Sequence, residues 1–110
     1  SKPDTGLAQD QAATGLIPAL KDALRDLPNL PPLLVIPEVL QTAMAQFWWA
    51  DDSLAGFNRT IIEAAIALIR EYNTLPAGVG CAATRQRFSE QHDMKTGIQH
   101  AITELEKVKL

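Results

Sequence analysis

With 110 residues, of which 46% are hydrophobic and 21% charged, the chain has the composition of one globular domain and not of a disordered segment. Its formal net charge of −3, with acids and bases interleaved and no Lys/Arg block, argues against nucleic acid, whose phosphates select clustered cations. No apolar stretch approaches the roughly 20 residues that span a bilayer, and a single cysteine, Cys81, excludes an intramolecular disulfide.

Residues 1–13 are polar and lack sustained periodicity, which predicts a flexible N-terminal tail before a single helical domain over 14–110. The tail also lacks the apolar core of a secretory signal, so a cytoplasmic location is expected. Leu16, Leu20, Ala23, Leu24 and Leu27 recur at helical spacing and predict a first helix from about Pro18 to Leu27, with the proline in its first turn. Pro28, Pro31, Pro32 and Pro37 then exclude regular helix and define a stiff connector. Inside it, Leu33-Leu34-Val35-Ile36 reads as extended chain packed on helices, because a lone strand has no partner for its backbone.

Pro37-Glu38 opens a second helix running to about Ala50. Asp51-Asp52-Ser53 breaks it and offers N-caps for a third, whose Leu54, Phe57, Ile61, Ala64, Leu68, Tyr72 and Leu75 alternate steps of three and four. Ile62, Ile66 and Ile69 add a second stripe beside that seam. Pro76-Ala77-Gly78-Val79-Gly80 ends this helix. A last helix is expected from a Thr84 cap nearly to the C-terminus, with a seam of Gln91, Met94, Ile98, Ala101, Leu105 and Val108 flanked by Phe88 and Ile102. Gly97 within it costs about 1 kcal/mol relative to alanine, tolerable where two helices cross closely. The fold class read from these elements is all-α, a small bundle of about four helices with a proline-rich connector, pairing as a helical homodimer.

Phe47-Trp48-Trp49 is the most informative cluster, since three consecutive helical positions span ~200° and one core face cannot hide all three rings. Two readings stay open: two rings enter the core and one lies flat on the surface, or a partner surface recovers the burial that an exposed ring forgoes. Leu33, Leu34 and Ile36 make a second candidate contact, because prolines lower the cost of ordering them. Chemistry is not expected. His92 and His100 lie ~12 Å apart along one helix, too far to share a metal ion, and neither HExxH nor CxxC occurs. Cys81 has no locally placed base, and Gly78-Val79-Gly80 lacks the lysine of a phosphate loop. No catalytic residue, metal or cofactor is therefore assigned.

A helix ending in Leu75-Pro76, a glycine-containing loop and a final amphipathic helix with Asp93-Met94, Gln99, Ala101 and Leu105 together resemble the TraM-type antiactivators of bacterial quorum sensing. The resemblance covers about residues 60 to 108 and transfers no functional residue. It implies a helical homodimer that binds a LuxR-type transcriptional activator and blocks its dimerisation or DNA contact. The residues themselves leave other binding functions open: an immunity protein, a secretion chaperone, or a helical bundle holding an apolar small molecule.

Overall fold

The computed structural model describes the backbone of residues 2–47 and 58–107, and the side chains of residues 14–42 and 58–107. Within these lie five helices and one 3-10 turn: α1 (Lys2–Asp26), the turn Leu27–Asn29, α2 (Glu38–Phe47), α3 (Arg59–Asn73), α4 (Ala82–Gln91) and α5 (Met94–Leu105). No strand occurs among the described residues. The all-α class expected from the sequence is therefore what the chain adopts.

Helix α1 begins at Lys2 and not near Pro18, and so takes in most of the segment expected to be a tail. Residues 2–13 include Lys2, Leu7, Ala8, Gln9, Ala12 and Ala13, all good helix formers, and α2 lies alongside α1. Periodicity missed this because the segment carries no sustained apolar stripe. Pro18 consequently sits in the helix interior, where it costs about 3 kcal/mol. Leu16 and Leu20 flank it and are fully buried, each contributing about 1.5–3 kcal/mol, which offsets the loss.

After the 3-10 turn, Leu30 adopts a left-handed conformation at φ 51°, its N–H donating to Leu27 O at 2.9 Å. The connector then runs to Pro37, whose carbonyl accepts from Leu40 N–H (3.1 Å) and Gln41 N–H (3.4 Å) and so caps α2 from outside. Helix α3 starts at Arg59 and not near Leu54, because Asn58 is extended and its Oδ1 takes the Thr60 N–H at 3.0 Å. Leu54 and Phe57 of the expected seam lie outside the described residues. The buried face of α3 is Ile62, Ala65, Ile66, Ile69 and Tyr72, while Ala64 is exposed and Ile61 and Leu68 are half-buried. The core thus uses the isoleucine stripe, turned by about one residue, or ~100°, from the seam read in the sequence.

The single last helix of the sequence reading is two helices, broken at His92-Asp93. Asp93 lies at φ 48°, a left-handed conformation that aspartate tolerates better than most residues. The Gly97 N–H returns to Asp93 O at 3.0 Å and opens α5. Helix α4 has no apolar stripe: it buries Arg85 and packs the half-buried Phe88 against the core, so no continuous seam runs from it into α5. On α5 the expected seam holds from Met94 onward through Ile98, Ala101 and Leu105, with Ile102 beside it, whereas Gln91 is exposed on α4. The core is formed by α1, α3 and α5, closed on one side by Leu34 of the connector.

Two glycines separate helix propensity from packing. A Cβ on Gly97 would sit 3.8 Å from Leu68 Cδ1, an ordinary contact, whereas one on Gly15 would lie 2.8 Å from Leu40 Cδ2 at the α1–α2 crossing. The close approach therefore falls at Gly15 and not, as the sequence suggested, at Gly97. In urea denaturation, Gly97→Ala is expected to gain about 1 kcal/mol from propensity. Gly15→Ala should fall about 1 kcal/mol below Gly97→Ala, because Leu40 must leave its rotamer.

Candidate functional site

The connector carries more proline than any other part of the chain, and prolines leave carbonyls to satisfy without donors to help. Side chains from the end of α3 and from α4 meet that need. Tyr72 Oη donates to Pro31 O at 2.7 Å. Asn73 grips Leu34 with both ends of its amide, accepting from Leu34 N–H at 2.7 Å and donating to Leu34 O at 2.9 Å. Arg85 donates from Nε to Leu30 O at 2.9 Å and from Nη1 to Pro76 O at 3.0 Å, joining the start of the connector to the loop after α3. Gln41 Nε2 reaches back from α2 to Ile36 O at 3.1 Å.

This anchoring sorts the connector side chains by face. Leu34 is 1% exposed and Ile36 packs against the core, whereas Leu33 is 59% and Val35 73% exposed. Val39, on the first turn of α2, is 72% exposed. Of the contact residues expected from sequence, Leu33 stands on the surface and Ile36 is half-buried, while Leu34 fills the core and its side chain is not available to a partner. The backbone of Phe47 ends α2, but its side chain, together with Trp48 and Trp49, lies outside the described residues. Sequence reasoning missed Val35 and Val39 as exposed apolar residues and missed the anchors Asn73 and Arg85. The period-two order of Leu33-Leu34-Val35-Ile36 did carry the signal for Val35, since alternate residues of an extended chain face opposite ways.

Burial pushes the Tyr72 hydroxyl above its ordinary value, and the Arg85 guanidinium pulls it partly back. At the far end of α3, Glu104 accepts the Asn58 N–H at 2.8 Å and the Lys107 ammonium at 2.7 Å. These bonds, Lys107 foremost, hold its carboxyl below the usual carboxylate range.

His92 and Cys81, the residues weighed for chemistry, lie at the two ends of α4. His92 Nδ1 lies 3.0 Å from Phe88 O, and its ring packs on Phe88 with centroids 4.2 Å apart. Cys81 is half-buried at the start of α4, and its carbonyl takes the Arg85 N–H at 3.2 Å. Among the described residues no three His, Cys, Asp or Glu side chains gather closely enough to hold a metal ion, and no helix is long and apolar enough to cross a membrane.

Compared with known proteins, the chain matches no family model, no curated protein and no solved structure. Two features behind the resemblance to quorum-sensing antiactivators also differ in detail. Helix α3 ends at Asn73, before Leu75-Pro76, and the final amphipathic helix starts at Met94 after a break at Asp93.

Asn73→Ala leaves the Leu34 N–H and C=O without partners and is expected to cost about 2–3 kcal/mol in chemical denaturation. Asn73→Asp keeps the acceptor but turns a second oxygen toward Leu34 O, so it should not restore stability. The raised Tyr72 value has a definite sign: the unfolded chain loses its phenolic proton first, so stability is intact below pH ~10 and falls as pH rises toward the folded value. Tyr72→Phe should lower neutral-pH stability by about 1 kcal/mol and reduce the alkaline loss, read from paired melting curves across that range.

Proposed function

We propose that this protein acts by binding another protein and performs no chemistry of its own. The observation that carries this reading is the presentation of Leu33 and Val35 to solvent from a connector fixed by Tyr72, Asn73 and Arg85, with Val39 exposed beside them on the first turn of α2. Proline and hydrogen bonds hold these side chains in place before any partner arrives, so association does not bear the cost of ordering them. Exposed apolar residues gathered on one segment lose a favourable burial term that a partner surface restores.

The regulatory form of this proposal is inhibition of the bound partner. Its most specific version, a dimeric antiactivator that occupies a LuxR-type transcriptional activator, rests on the resemblance of residues 60 to 108 and on nothing in the comparisons with known proteins. Residue chemistry supports the broader reading: the negative net charge and interleaved charges suit a protein partner better than nucleic acid.

The test is affinity capture by the whole chain beside a Leu33→Asp/Val35→Asp double variant, with light scattering to count subunits. Both substitutions fall on exposed side chains, so the variant should fold with stability within about 1 kcal/mol of the parent. A specific protein retained in fixed stoichiometry by the parent and lost by the variant is expected. Recovery of no specific protein, or equal recovery by both chains, counts against the connector as the contact. Addition of a purified LuxR-type activator with its promoter DNA tests the narrower version, in which DNA binding should fall as the chain is titrated in.

A further inference from the structure

An extended segment presents backbone polar groups along two edges, and its two neighbours at each residue face opposite ways. At Leu34 one edge is closed: Asn73 accepts from its N–H at 2.7 Å and donates to its C=O at 2.9 Å. The amide thereby exchanges both bonds with a single residue, as a neighbouring antiparallel strand does. The N–H and C=O groups of Leu33 and Val35 then fall on the opposite edge. Among the described residues neither Leu33 nor Val35 makes a hydrogen bond. Pro32 and Pro37 bound this edge and lack donors of their own, so it consists of two donors and two acceptors in alternating order, with Leu33 and Val35 side chains exposed beside it.

That arrangement is selective for an occupant. A helix has already satisfied its own backbone, so laying one over Leu33 and Val35 would bury their polar groups without partners. An extended backbone supplies the complementary donors and acceptors at the same spacing and places alternate side chains over the apolar pair. We propose that the Leu33–Val35 edge accepts an extended segment of a partner protein as an added strand, with an apolar side chain of that segment seated against Leu33 and Val35. This rests on the protein-binding reading above and specifies its mode.

The test uses the whole chain and a displayed library of random peptides as the probe. Enriched peptides are synthesised with and without N-methyl groups on alternate amides, and hydrogen exchange of the Leu33 and Val35 amides is followed by NMR. Peptides with alternating apolar residues should be enriched, should slow exchange at both amides, and should bind about tenfold more weakly when one pairing amide is methylated. Val35→Pro removes one donor at an exposed position and should weaken the same peptides about tenfold, while peptide methylation keeps the test decisive if that variant does not fold. The proposal is overturned if no peptide is enriched, if enriched peptides leave the two amides unprotected, or if methylation has no effect. Protection that rises with the concentration of the chain alone also overturns it, since a second copy would then hold the edge. Equal capture of one specific protein by the parent and Val35→Pro chains would overturn strand addition and leave protein binding standing. Capture of none by either would overturn both.

Discussion

The proline-rich connector lies against a hydrophobic core only because side chains from α3 and α4 take up its backbone polar groups, and much of the molecule is arranged to make that possible. Leu34 fills the core beside Tyr72, so its own N–H and C=O are withdrawn from water along with its side chain. Left unpaired they would cost more than the leucine gains, and Asn73 removes that penalty at both atoms. Tyr72 does the same for Pro31, and Arg85 for Leu30, whose left-handed backbone carries a cost of its own.

Arg85 links this requirement to the shape of the C-terminal half. Its guanidinium bonds both Leu30 and Pro76, which brings the start of the connector and the loop after α3 to one point on α4. Helix α4 is otherwise mostly polar, and its position follows from the reach of Arg85 to Leu30 and Pro76 together with the half-buried Phe88 that packs against the core. The break at Asp93 allows α4 to take that position while α5 keeps Met94, Ile98 and Leu105 against α1 and α3. At the opposite end of α3, Glu104 holds the Asn58 N–H, so the ends of α3 and α5 are tied by polar contacts while their middles are tied by isoleucines.

A fixed connector also separates what it buries from what it shows. Because Leu34 and Ile36 turn inward, Leu33 and Val35 must turn outward, and Val39 continues the apolar surface onto α2. The interaction surface proposed here is thus a by-product of anchoring: the same alternation that supplies the core with Leu34 leaves its neighbours unburied. Loss of the Asn73 clamp would affect stability and surface together, which makes the clamp a poor place to probe binding and the exposed pair a better one.

The sequence by itself determined that the chain is helical, that residues 28–37 hold no α-helix, and that Ile98, Ala101 and Leu105 share one buried face, because proline chemistry and the 3.6-residue period act locally. It left the partition of the connector half-read: the whole of Leu33-Leu34-Val35-Ile36 was expected to pack on helices, with Leu33, Leu34 and Ile36 also offered as a partner contact, whereas the structure buries Leu34, half-buries Ile36 and exposes Leu33 and Val35. Only the tertiary structure decided which of two apolar stripes on α3 faces inward, since both have helical spacing and the choice depends on what α1 and α5 bring opposite them. The roles of Asn73 and Arg85 were hidden for the same reason. Asn73 reaches Leu34, 39 residues away, and Arg85 reaches Leu30, 55 residues away, and no local pattern records a hydrogen bond to a backbone group that folding has yet to place there.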